Sequence, residues 1–133
     1  MSIDDSLIGR SWPASEPYVV SAEKVRDFAA AVGASWSPGS AIPATFPIIV
    51  AGTLMNVFLA DSGLDLSRII HGEQRFEYAR PLAVGDVLSA SFSITSLRQM
   101  AGSDIIGAVT EIVDETGSLV CTTKATLIHR VGA

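Results

Sequence analysis

Two hydrophobic patterns divide this chain. Between Ile42 and Leu64, in IPATFPIIVAGTLMNVFLADSGL, apolar side chains fall on every side of a helix, whereas from Arg68 onward they recur at every second residue. The first pattern predicts a helix that other structure must enclose, and the second predicts strands with one buried face. The helix is expected from about Phe46 to Ala60, with Thr45 as its N-cap and Asp61, Ser62 and Gly63 ending it. Gly52 at its middle costs about 1 kcal/mol relative to Ala. It is therefore expected to be a packing position, approached closely by a sheet backbone or by a partner helix.

An earlier helix is expected from about Ala22 to Val32, because Val25, Phe28, Ala29 and Val32 recur at helical spacing, Ser21 precedes them and Gly33 follows. The segment Ala34 to Ala41, ASWSPGSA, has no period and reads as a short loop. In the first strand Ile70, Gln74, Phe76 and Tyr78 are expected to face inward, alternating with His71, Glu73, Arg75 and Glu77, with Gly72 interrupting the series. Pro81 and Gly85-Asp86 then mark turns, and strands follow over Val87 to Leu97, Ile105 to Val113 and Leu119 to Arg130. Ala101-Gly102-Ser103 and Glu115 to Ser118 separate them. Two helices followed by four long strands make an antiparallel α+β domain, and 133 residues make a single domain over 1–133.

Composition narrows the function. The formal net charge is -5 and the basic residues are scattered singly, which leaves nucleic acid without an electrostatic footprint. With 48% hydrophobic residues and a positive mean hydropathy, some apolar surface is expected to be buried against another subunit. The run Phe46 to Ala60 is short of the roughly 20 residues a membrane span needs. The opening MSIDDSLIGR has no basic-then-apolar pattern, so no membrane partner and a cytoplasmic location are expected. The lone Cys121 allows no intrachain disulfide and reads as a small buried strand residue. No Cys and His spacing suggests a metal, and no glycine-rich phosphate loop suggests a cofactor.

Few residues offer chemistry. His71 and Glu73 stand two apart and are therefore expected on one face of their strand, the weak candidates for a catalytic pair. Asp86 is expected to serve its turn, Asp61 and Asp65 to be loop residues, and His129 to be a solvated strand-end residue. Thr45 is the best-placed polar side chain for a ligand, since helix-start amides are free to donate.

The stretch His71 to Leu88, HGEQRFEYARPLAVGDVL, together with Pro43-Ala44-Thr45-Phe46-Pro47 and Ile8-Gly9-Arg10, resembles the MaoC-like dehydratases. It is most similar to their N-terminal-type half, the FAS1-like dehydratase domain. The resemblance implies a hotdog fold, an antiparallel sheet wrapped around a long buried helix, acting on an acyl-CoA or acyl-ACP thioester. It implies hydration of enoyl thioesters and dehydration of 3-hydroxyacyl thioesters, and substrate contacts at Thr45, Phe46, Gly52, Gly72 and Gln74. Catalytic members carry Asp and His in a Gly-Asp-x-Asn-Pro-x-His stretch directly after the first helix. Here that place reads Gly33-Ala34-Ser35-Trp36-Ser37-Pro38, with Ala34 where the Asp would stand and no histidine before the central helix. The resemblance thus implies a subunit without its own dyad, as a homodimer or as a heterodimer with a dyad-bearing MaoC-like subunit. The alternatives are a homodimeric hotdog acyl-CoA thioesterase using Glu73 or Asp65, and a non-catalytic acyl-binding or structural hotdog protein.

Overall fold

The computed structural model describes residues 5–13 and 16–131; the first four residues of the opening segment lie outside them. Its elements are β1 (Ser11–Pro13), β2 (Tyr18–Val19), α1 (Ala22–Ala31), α2 (Ile48–Ser62), β3 (Ile69–Tyr78), β4 (Val87–Met100), β5 (Ser103–Val113) and β6 (Leu119–Arg130). The described strands form one antiparallel sheet in the order β1-β4-β5-β6-β3, with β2 also pairing with β4. This is the α+β architecture that the periodicities predict, with two short strands added. β1 and β2 are three and two residues long, too short for alternation to reveal them, and β1 is marked only by the inward Trp12.

α1 begins where expected, with the Ser21 hydroxyl accepting from the Lys24 amide at 3.2 Å. α2 begins two residues later than expected. Ala44 to Pro47 form a turn, and Pro47 rather than Thr45 stands at the N-cap, without a side-chain cap. Asp61 and Ser62 belong to its last turn, and Gly63 ends it with a φ of 71°, a conformation glycine adopts at no steric cost. β4 and β5 extend to meet in a two-residue turn, Ala101-Gly102, with positive φ at both positions. Such turns match the twist of paired strands.

The inward faces of β4, β5 and β6 carry the core: Leu88, Phe92 and Ile94, then Ile106 and Ile112, then Val120 and Leu127. α2 packs onto this face with Val50, Ala51, Leu54, Met55, Phe58 and Leu59, lying nearest to β4 and β1. Phe58 sits in an aromatic cluster, 5.0 Å from the Trp12 ring and 5.5 Å from that of Phe92. The enclosure expected from an all-round apolar helix is therefore one-sided within this chain. Thr53, Asn56, Val57 and Ala60 face outward. Gly52 is half-buried, and a β-carbon built on it would meet nothing within 4 Å, so the sheet is not what approaches it.

Candidate functional site

β3 is an edge strand, and a bulge sets which side chains it offers. Its partner register with β6 shifts between His71 and Glu73, leaving Gly72 as the extra residue. One extra residue reverses the faces. His71 stands opposite the buried Leu127, Gln74 opposite Ala125 and Phe76 opposite Thr123, all on the α2 side, while Ile70, Glu73, Arg75 and Glu77 face away. The expected inward Ile70 is accordingly half exposed, at 50%. The expected pairing of His71 with Glu73 does not form. His71 Nε2 instead donates to Gln74 Oε1 at 2.9 Å, and Glu73 pairs with Arg75 at 3.1 Å. Gly72 suits the bulge, since a β-carbon there would stand 3.1 Å from Ile128 Cδ1.

At the far end of β3, the Tyr78 hydroxyl donates to the Ala44 carbonyl in the turn that starts α2. Burial pushes the phenol up to about 12. Beside it lies a cleft of about 410 Å³ lined by Ala41, Ile42, Ala44, Arg80 and Leu82 among others. The Arg80 guanidinium at its rim is already engaged, 3.0 Å from Asp86 and 3.4 Å from Asp114. Asp86 also accepts from the Ala83 amide at 2.8 Å, closing its turn as expected.

The start of α2 is less open than a helix N-terminus usually is. The amides of Ile48, Ile49 and Val50 donate to the carbonyls of Thr45, Phe46 and Pro47, so the free donors expected beside Thr45 are taken. The Thr45 side chain is exposed and caps nothing. Phe46 is wholly buried, 5.4 Å from the Phe28 ring, and is a core residue. Of the five expected substrate contacts, Gly72 and Gln74 come together on β3, Thr45 and Phe46 lie at the α2 entrance, and Gly52 lies midway along the helix.

The connection between α1 and α2 carries neither Asp nor His. It is pinned by Trp36, whose Nε1 donates to the Ser40 carbonyl at 3.0 Å under the Arg26 guanidinium. A histidine meets a carboxylate at the opposite end of the molecule. His129 Nδ1 donates to Asp104 Oδ2 at 3.2 Å, with the two side chains 2% and 0% exposed. This overturns the solvated reading of His129. It has the same parity as the buried Leu127 and Ala125, so the strand turns it inward, opposite Asp104. That parity is readable in the sequence, and nearness to the C-terminus is the weaker signal.

The other acidic candidates also have local duties. Asp61, expected in a loop, is helical and accepts from Arg10 and from Trp12 Nε1 at 3.0 Å, tying β1 to α2. Asp65 caps the short 3₁₀ turn Leu66–Arg68, and hydrogen bonds from Ser67 hold its carboxyl below the usual range. Cys121 is buried, and burial pushes its thiol up. Among the described residues no cluster of His, Cys, Asp and Glu could hold a metal ion, and no helix is long and apolar enough to cross a membrane.

A bulged edge strand, a sheet packed on one long helix and the motif at its entrance define a MaoC-like hotdog domain. The chain belongs to the family of the FAS1-like dehydratase domain region, which matches residues 6–123. It is 38% identical to a UPF0336 protein of Clavibacter michiganensis over 98% of this chain and 97% of the relative. That alignment runs over 145 positions and takes in 98% of this chain, so about 15 of them have no counterpart among its 133 residues. Among solved structures it is similar to the C-terminally truncated HadBC (3R-hydroxyacyl-ACP dehydratase) complex of Mycobacterium tuberculosis. The TM-score is 0.80 at 27% identity, over 92% of this chain and 96% of that one. A MaoC-like dehydratase matches equally well, with a TM-score of 0.80 at 26% identity, and this chain covers 43% of its length.

Proposed function

We propose that this chain is the dyad-lacking subunit of a (3R)-specific enoyl-thioester hydratase or 3-hydroxyacyl-thioester dehydratase. The observation that carries this reading is the Trp36-pinned connection after α1, where a proton-moving pair would have to stand and where Ala34, Ser35 and Ser37 stand instead. Hydration adds hydroxide to the β-carbon and a proton to the α-carbon of the acyl thioester. One group must therefore activate water and another must deliver the proton. Within this chain the buried Asp104–His129 pair is closed to solvent, and His71 is held by Gln74. The proton-moving groups then come from a dyad-bearing MaoC-like subunit. This chain contributes wall and scaffold: His71, Gln74 and Tyr78 on the α2 side of β3, and the cleft by Ala44. The acyl group is carried on coenzyme A or acyl carrier protein, and the complex works in the cytoplasm.

A thioesterase reading needs Glu73 or Asp65 to face the start of α2 across a dimer. Glu73 turns to the side of the sheet away from α2, which counts against it in that role.

The test is hydration of crotonyl-CoA and longer enoyl-CoA. The purified chain should show none above background, and co-expression with a MaoC-like subunit carrying the Asp-and-His motif should produce it. In that complex His71→Ala should leave kcat within tenfold of the parent. Losing a general acid or base costs on the order of 10²- to 10⁴-fold, and a fall on that scale would make His71 catalytic. Robust turnover by the partner-free chain would end the proposal.

A further inference from the structure

On the flank of α2 that faces β2 and α1 lies a second cleft, of about 460 Å³, a size typical of small-molecule sites. It shares no residue with the cleft beside Tyr78, and β2, on its wall, pairs with β4 rather than with β3. Val50, Leu54 and Val57 recur at helical spacing and give it an apolar side. Val50 and Leu54 are buried, and Val57 is 47% exposed. Pro13 and Pro17 extend the apolar lining.

The polar groups of this cleft are of both signs. Lys24 Nζ donates to the Val19 carbonyl at 3.2 Å and lies 4.3 Å from the centre of the Tyr18 ring. It is thus held in place while keeping further N–H groups to donate. Tyr18 is itself packed edge-on against Phe46, and burial pushes its phenol up, which keeps the hydroxyl a donor. Thr53 Oγ1 spends its one proton on the Ile49 carbonyl at 2.9 Å and is left to accept. The Glu16 carboxylate completes the set. Among the described residues neither Glu16 nor Lys24 has an ion-pair partner. One acid and one base therefore line a single apolar cleft, too far apart to pair with each other.

That arrangement selects among ligands. A simple carboxylate gains Lys24 but meets Glu16, and a simple amine gains Glu16 but meets Lys24. A neutral apolar molecule uses neither charge. A zwitterion uses both, each through a charge-assisted hydrogen bond. We propose that this cleft binds a free α-amino acid with an apolar side chain. Its carboxylate sits on Lys24 and the Tyr18 hydroxyl, its ammonium on Glu16 and Thr53 Oγ1, and its side chain against Val50, Leu54 and Val57. The bound molecule bridges α2 to the segment carrying β2 and the start of α1, and so stabilises the folded chain. The site stands whether or not the chain serves as a dyad-lacking subunit.

The experiment is calorimetric titration of the full chain with L-leucine, with thermal melting alongside. The dissociation constant should be about 1 mM or lower, and the melting temperature should rise with leucine concentration. 4-Methylpentanoate lacks the ammonium, 3-methylbutylamine lacks the carboxylate and glycine lacks the side chain. Each should bind at least roughly tenfold more weakly than leucine. Glu16→Gln should weaken leucine by roughly tenfold and strengthen 4-methylpentanoate, so that the two ligands converge. A merely structural role for Glu16 would move both alike. Glu16 is exposed, so the variant without ligand should melt like the parent. Absence of leucine binding up to about 10 mM overturns the inference. So does a parent that binds 4-methylpentanoate as tightly as leucine, and so does a Glu16→Gln variant that keeps the parent's preference for leucine. None of these readouts involves enoyl-CoA hydration, so failure here and failure of the catalytic reading are separable.

Discussion

The two halves of the sheet carry the same alternating pattern and meet different fates. Over β1, β4 and β5 the inward side chains lie under α2, and Phe92, Ile94 and Ile106 are each about 1% exposed. Over β3 the inward residues are His71, Gln74, Phe76 and Tyr78, none of which reaches full burial. One half is a finished core, and the other is half of one. Period-two alternation reports that a strand has a face to bury. It does not report whether the cover belongs to the same chain.

The comparison can be broken most sharply with two phenylalanines. Phe58→Ala removes a ring wedged between Trp12 and Phe92 and should cost about 3 to 5 kcal/mol, measured by urea denaturation. Phe76→Ala in the open half should cost less than half as much at concentrations where the chain is monomeric. Equal losses would show that α2 covers both halves alike.

A comparable test sits at the closed end. His129→Ala leaves the Asp104 carboxyl buried without its imidazole, and breaking such a pair from one side typically costs about 3 to 5 kcal/mol. The double replacement of both residues by apolar side chains should recover most of that loss. A negligible effect of His129→Ala would mean that water or another group reaches Asp104.

The open half contains a group that titrates at high pH. The Tyr78 phenol, raised to about 12 by burial, holds its proton more tightly folded than unfolded. Its contribution is fully present below about 10, the ordinary value for a tyrosine, and is lost as the pH rises through 12. Stability should therefore decline over that window in the parent, and Tyr78→Phe should flatten the decline. An unchanged slope would show that the phenol is not buried in solution.

The smallest effect has the opposite sign. Gly52→Ala places a β-carbon in open space, so helix propensity should stabilise the monomer by about 0.5 to 1 kcal/mol. Destabilisation would show that the helix face bearing Gly52 is already occupied.

Much of the fold was legible in the sequence, because long elements repeat their signal. β4, β5 and β6 fall where Leu88, Phe92, Ile94 and their successors alternate, and α1 is framed by Ser21 and Gly33. Failures concentrate where one residue changes the count. The bulge at Gly72 moves His71 from the company of Glu73 to that of Gln74, and Pro47 delays α2 past Thr45. His129 follows its inward parity rather than its nearness to the C-terminus. For the site, the family motif pointed to β3 and to the turn before α2, and the absence of Asp and His between α1 and α2 was plain. The partners of each polar group were not readable, because Tyr78 with Ala44 and Arg80 with Asp86 and Asp114 are set by tertiary approach.

The unequal ends of the sheet also set how far association can run. A filament of stacked sheets needs every subunit to offer two usable edges, one to receive and one to extend. Here β3 is ten residues long, but the strand at the opposite border, β1, is three residues long and includes Pro13, which has no amide to donate. In polymer terms the monomer is monofunctional. Among the described strands, association along the sheet has one long edge to use, and a second neighbour has none.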